Sequence, residues 1–180
     1  FRHVGPAFVE DPVRLLRVAR FAARFPDFDV ASNTLALLKE IGQSGELEAL
    51  VKERVWQEFS RGLLSEKPSR MLDVLDAVGV FEKFFPSNLL LKSNRKFFDH
   101  IDQSKSLDLN LPQRCAVLFC GLDAKTINLW SAKWGIPSEC RDYALLGREI
   151  HHAIELGLSN AEGILQVLDR IDVWRKPERF

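Results

Sequence analysis

The chain has 180 residues, 46% of them hydrophobic and 28% charged, with 25 Lys and Arg set against 25 Asp and Glu. That balance fits a globular protein with a real core and excludes disorder. Zero net charge excludes a uniformly basic nucleic-acid binder, so any RNA contact must rest on a local patch.

No apolar run reaches the roughly 20 residues of a membrane-spanning helix, and no membrane partner is expected. Cys115, Cys120 and Cys140 are odd in number and lack a CxxC spacing, which reads as reduced thiols in a cytoplasmic protein. Phe1 stands where a Met would begin a gene product, with no signal peptide behind it, so the chain reads as a fragment of a longer one.

Glycine and proline are sparse and fall between periodic segments, so helix is the default throughout. Asp11 is a good N-cap and Pro12 suits the first helical position, which predicts a helix from about Val13 to Phe25, stopped at Pro26. A second helix is predicted from Ser32 or Asn33 to near Gly42, and a third from Glu46 to Leu64 with a break near Val51. Pro68 opens a fourth over Ser69–Ala77, ended by Gly79, and Phe81, Phe84 and Phe85 form an apolar plug closed by Pro86. The polar stretch Ser87–Ser93 looks like a boundary, dividing the chain into residues 1–86 and 87–180. Beyond it, helices are predicted over Asn94–Gln103, Pro112–Leu122, Ala124–Trp134, Ser138–Leu156 and Asn160–Trp174.

The first helix carries the chemistry. On a helical wheel Arg14, Arg17, Arg20 and Arg24 fall within an arc of about 120°. Leu15, Leu16, Val18, Ala19, Ala22, Ala23 and Phe25 fill the opposite side. Glu10 and Asp11 sit at the helix entrance, where carboxylates favour the dipole. This pattern suits a solvated, salt-bridged surface helix, and it also suits a site for phosphate-bearing ligands, which guanidinium forks recognise.

The stretch "FRHVGPAFVEDPVRLLRVARFAARF" resembles the bacterial CCA-adding tRNA nucleotidyltransferases, close to the multifunctional type. Its core is an EDxxR motif at Glu10-Asp11-Pro12-Val13-Arg14, continued by Arg17 and Arg20. "ERVWQEF" (Glu53 to Phe59) and "PSRMLDVLDAVGVFEKFFP" extend the resemblance to Pro86.

The resemblance implies an all-α multi-helix array, with residues 1–86 as a base-selecting neck and 87–180 as a degenerate HD-like body and tail. It implies CTP and ATP as nucleotides and tRNA as partner. Asp11 and Arg14 would read the base edge, Arg17 and Arg20 would lie near base and triphosphate, and Glu10 would orient an arginine. Cytosine and adenine both offer an amino donor beside a ring acceptor, which a carboxylate next to a guanidinium complements; uracil and guanine present the reverse order. Arg54, Arg61, Lys67 and Arg70 suit either tRNA phosphates or a solvated face.

The catalytic head of this family, with its metal-binding DxD carboxylates and glycine-rich loop, has no counterpart in the 180 residues. Mg²⁺ would belong to that head, and the fragment alone is expected to be inactive. Asp27 and Asp29 have DxD spacing, yet they follow Pro26 in a turn, where aspartates serve local hydrogen bonding. "RCAVLFCGLDAK" resembles the helix that carries a His-Asp metal pair in multifunctional members, but Cys120 and Gly121 stand at that place. His151 and His152 are adjacent and point to different faces, so no metal site is expected. Two other functions stay open: a fragment of a bacterial poly(A) polymerase, which shares EDPVR and the basic helix, and a helical interaction module without nucleotide role.

Overall fold

The computed structural model describes residues 2, 5–86, 95–157, 160–175 and 177, and the protein is all-helical, with no strand among the described residues. A short 3₁₀ segment, Pro6–Glu10, leads into α1 (Val13–Arg24). There follow α2 (Ser32–Gln43), a 3₁₀ turn over Glu46–Ala49, α3 (Lys52–Leu63), α4 (Ser69–Ala77) and α5 (Phe81–Phe84). The second segment holds α6 (Arg95–Ser106), α7 (Leu111–Phe119), α8 (Ala124–Trp134), α9 (Ser138–Glu155) and α10 (Ala161–Arg170). The expected boundary at 87–93 lies outside the described residues.

Helix α1 begins where its signals predict. Asp11 Oδ1 accepts the Val13 N–H at 3.1 Å, reaching past Pro12, which has no N–H to offer. The helix ends at Arg24 because the residue before Pro26 is pushed out of the helical region. Its buried face, Leu15, Leu16, Val18, Ala19, Ala22 and Ala23, packs against α3 and α4. The alanines leave the backbone within reach, and the Lys67 N–H donates to the Ala23 carbonyl at 2.9 Å, pinning the α3–α4 connection onto α1. Helices α3 and α4 meet closely at Gly62, where a Cβ would fall 2.3 Å from Met71 Sδ.

The aromatic plug is real. Phe81, Phe84 and Phe85 are buried, and Phe59 lies 5.4 Å from Phe84 and 4.9 Å from Phe85, ring centre to ring centre. Trp134 of α8 adds a ring 5.5 Å from Phe84 and donates its indole N–H to the Phe84 carbonyl at 3.1 Å. Other hydrogen bonds also join the two segments. Arg114 of α7 is buried and caps the end of α3 through Nη1 to the Leu63 carbonyl at 2.6 Å. Asp102 of α6 accepts both the N–H and the hydroxyl of Ser69, at 2.9 and 2.7 Å, and so caps α4 from another helix. One hydrophobic core runs from Val13 to Ala144 through both segments.

Boundaries in the second segment differ from the expectation: α6 runs on to Ser106 instead of stopping at Gln103, α7 ends at Phe119 instead of Leu122, and two further ends have a visible cause. Helix α7 starts at Leu111, because Asn110 and Gln113 exchange hydrogen bonds in a capping box at 3.0 Å each. Helix α10 stops at Arg170; the chain turns, Asp172 takes a φ of 60°, and Trp174 folds back to donate to Asp169 at 2.7 Å.

Candidate nucleotide-binding cleft

Burying the apolar side of α1 turns its arginines outward, and α3 runs beside them. On α3, Arg54, Gln57, Glu58 and Arg61 stand at the three- and four-residue spacings that share one helix face. The two faces enclose an open cleft of about 280 Å³, lined by Val13, Arg17 and Arg20 from α1 and by those four residues of α3. Four arginines thus face one carboxylate, a surplus of positive charge suited to phosphate oxygens.

Two ion pairs fix this arrangement. Arg20 and Glu58 are each only 8% exposed, and Arg20 Nε donates to Glu58 Oε2 at 2.5 Å. The Arg20 guanidinium also lies 4.3 Å from the centre of the Phe21 ring. A guanidinium has five N–H donors, so the pair leaves donors for a further acceptor. From the cleft wall, Arg54 Nη2 donates to Asp11 Oδ2 at 2.7 Å. Partial burial pushes the Asp11 carboxyl up. The Arg54 hydrogen bond, the Val13 N–H and the charges of Arg54 and Arg14 outweigh it and hold the group below its ordinary value of 3.8.

The structure therefore places Arg17 and Arg20 in the wall of one cleft, while Asp11 does not line it and is tied to it through Arg54. Arg14 lies one turn on from Asp11, 6.0 Å over the Phe8 ring and close enough for its charge to act on Asp11, but it does not line the cleft. Glu10 is exposed at the end of the 3₁₀ segment and, among the described residues, forms no ion pair; the carboxylates that hold arginines are Glu58 and Asp11. Glu58 and Gln57 were not singled out by sequence reasoning. Their spacing with Arg54 and Arg61 inside and just after the ERVWQEF stretch is the signal that marks them as one face.

Among the described residues no group of three His, Cys, Asp or Glu side chains is placed to hold a metal ion. Asp29 is exposed and pairs with Arg70 at 3.0 Å, and Asp27 is exposed beside it. Cys120 donates to the Val117 carbonyl at 3.3 Å, and burial pushes its thiol up. His151 Nδ1 lies 3.6 Å from Glu155, and His152 is exposed.

A protein-family profile described as "Probable RNA and SrmB- binding site of polymerase A" matches residues 27–88. The chain is 38% identical, over its whole length, to the multifunctional CCA protein of Janthinobacterium sp. (strain Marseille), of which it covers 51%. It is 39% identical to the multifunctional CCA protein of Dechloromonas aromatica (strain RCB), with 99% of this chain and 52% of that protein aligned. A solved structure, "The complex structure of CCA-adding enzyme with ATP", shares the fold at a TM-score of 0.53 and 20% identity, over 91% of this chain and 38% of that one. The chain spans about half the length of these curated relatives. The alignment with the Janthinobacterium protein runs over 213 positions, so that relative carries residues within this stretch that the 180-residue chain lacks. An all-helical fold shared with a CCA-adding enzyme, and identity sustained from end to end, make this chain a homologue of the multifunctional CCA proteins over about half their length.

Proposed function

We propose that this chain is the base-selecting and tRNA-supporting part of a cytoplasmic tRNA nucleotidyltransferase that adds CCA to tRNA 3′ ends from CTP and ATP. The observation that carries the reading is the arginine-rich cleft at the EDxxR helix, with Asp11 bound to its wall through Arg54, its carboxyl held below the ordinary value, and Arg14 one turn away. In this reading the Asp11 carboxylate accepts from the amino group of cytosine or adenine. Its oxygens each have a second lone pair beyond those used by Val13 and Arg54. Arg14 donates to the neighbouring ring acceptor. Arg17 and Arg20 meet the phosphates, with Arg54 and Arg61 extending the positive wall. Residues 1–86 do the selecting, and α6, α7 and α8 brace them through Asp102, Arg114 and Trp134.

Metal ions supply the electrophilic chemistry of nucleotidyl transfer in this family. Among the described residues the DxD-spaced Asp29 pairs with Arg70 at 3.0 Å on the surface, and no three side chains of His, Cys, Asp or Glu are placed to hold a metal ion. In this reading Mg²⁺ is held by a catalytic head domain, and these 180 residues alone add no nucleotide.

The test is incorporation of each of the four nucleotides onto a tRNA lacking its 3′ end, in the enzyme that contains these residues, before and after Asp11→Asn. Asn keeps a cap for α1 but loses the anionic acceptor. Discrimination against UTP and GTP is expected to fall by about tenfold or more, the equivalent of about 1–3 kcal/mol per lost polar match. Unchanged selectivity in a folded Asp11→Asn enzyme would overturn the role of Asp11. Use of ATP alone by the parent enzyme would favour a poly(A) polymerase instead.

A further inference from the structure

Cys115 and Cys140 have no part in the cleft, yet they stand together. Cys115 lies in α7 and Cys140 in the first turn of α9, and both are buried. The two helices pack closely: a Cβ on Gly147 of α9 would fall 3.0 Å from the Cβ of Ala116, the residue after Cys115. Across this interface the two thiols hydrogen-bond to each other. That bond, with burial, pushes the Cys115 thiol well up. The same bond holds the Cys140 thiol below its ordinary value, against burial and the charge of Glu139. Cys115 is therefore the S–H donor and Cys140 the acceptor.

A single buried cysteine is usually an inert core residue. Two features distinguish this pair. Each thiol has the other as its neighbour, so oxidation of one meets a second sulfur at once. Cys140 is also the third residue of α9, and Pro137 before the helix gives it no side-chain cap. The positive end of the helix dipole favours a thiolate there. Cys120 has neither feature: it donates to the Val117 carbonyl at 3.3 Å, and burial pushes its thiol up.

We propose that Cys115 and Cys140 form a reversible redox site that closes to a disulfide between α7 and α9 when the chain meets a peroxide. The Cys140 thiolate attacks one oxygen of hydrogen peroxide, the O–O bond breaks, hydroxide leaves and Cys140 becomes a sulfenic acid. The Cys115 sulfur then attacks the Cys140 sulfur, the S–S bond forms, the S–O bond breaks and a second hydroxide leaves. The proton lost earlier by Cys140 and the one given up by Cys115 turn both hydroxides into water. Two thiols thus give up two electrons, and one peroxide is reduced to two waters. Peroxide is close to water in size and reaches Cys140 as the first turn of α9 frays. The bridge closes a loop that contains all of α8. Arg114, beside Cys115, caps α3 at the Leu63 carbonyl, and Trp134 of α8 holds the Phe84 carbonyl, so the bridge fastens the braces of the cleft to one another. The site is independent of base selection and of tRNA, because it is read on the thiols alone.

The experiment treats the folded chain with hydrogen peroxide, removes the excess, and counts free thiols in denaturant with a chromogenic thiol reagent. The chain has three cysteines, so the count should fall from three to one and return to three after dithiothreitol. Trypsin cuts after Arg114, Lys125, Lys133 and Arg141, so an unreduced digest should hold residues 115–125 joined to residues 134–141. Cys120 shares the first peptide, and Cys120→Ser should give the same cross-link. Thermal unfolding should shift up by roughly 5–10 °C on oxidation and return on reduction, because the bridge constrains the unfolded chain. Three free thiols after peroxide would overturn the proposal. So would a cross-link that disappears in Cys120→Ser, or one that joins two chains instead of α7 to α9.

Discussion

Removing the carboxylate of Glu58 should separate stability from ligand binding in this cleft. Arg20 and Glu58 are both 8% exposed, and their contact is a direct 2.5 Å ion pair between α1 and α3. Glu58→Ala leaves a guanidinium in a nearly dry site with no counter-charge, and breaking a buried pair from one side costs about 3–5 kcal/mol. The open cleft beside the pair admits water to the stranded charge, so the cost should fall at the low end, about 3 kcal/mol. For a protein of this size that lowers Tm by roughly 6–12 °C. Arg20→Met with Glu58→Leu removes both charges and fills the same space, and such replacements are near neutral. The double variant should therefore regain most of the stability while losing a cation from the cleft wall. Urea denaturation gives the first quantity, and displacement of a fluorescent nucleotide by inorganic triphosphate gives the second. A Glu58→Ala cost below about 1 kcal/mol would show that the pair behaves as a solvated surface pair. A double variant as unstable as the single one would show that other residues need the charges. Either result refutes the reasoning.

Three further outcomes follow from the same contacts. Asp11 is held below 3.8 in the folded protein, so its contribution is fully present above that value and is lost as pH falls through the lower folded value. Urea midpoints measured from about pH 5 down to about pH 2 should show a smaller acid-induced loss in Asp11→Asn than in the parent. At neutral pH that variant should lose less than about 1 kcal/mol, because the Arg54–Asp11 pair is partly exposed. Asp102→Ala removes the cap of α4 and should cost about 0.5–2 kcal/mol, with Asp102→Asn recovering most of it in the same denaturation assay. Arg114→Met leaves the Leu63 and Leu109 carbonyls without their arginine donor and should cost about 1–3 kcal/mol, measured in the same way.

Most of the fold was legible because its punctuation is local. Pro12, Pro26, Gly79 and Gly135 each act within a residue or two of where they stand, and α2, α4 and α8 fall within a residue of their expected limits. The errors arise where distant or folded-back contacts decide. The end of α10 depends on Trp174 turning back to Asp169, a bond that the apolar period of Ile171 and Val173 conceals. The capping box of Asn110 and Gln113 was available in the sequence, but Pro112 suggested a later start. The cap of α4 could not be read at all, since its acceptor, Asp102, comes from α6.

The site was half legible for a related reason. A helical wheel sorts the residues of one helix, and it separated Arg14, Arg17 and Arg24 of α1 from its core face. It says nothing about which helix lies opposite. Arg20 and Glu58 are 38 residues apart, and Arg54 and Asp11 are 43 apart. No local pattern announces those pairings, and they change what the arginines can do. Arg20, read as one of four equal surface cations, is instead buried and oriented by Glu58, whereas Arg17 stays exposed at the wall. A buried, pre-oriented guanidinium binds a phosphate without first losing side-chain freedom, so the affinity of the cleft should rest on Arg20 more than on its exposed neighbours. The partner helix thus converts a charge pattern into a site. The face formed by Arg54, Gln57, Glu58 and Arg61 supplies four of the seven residues that line the cleft.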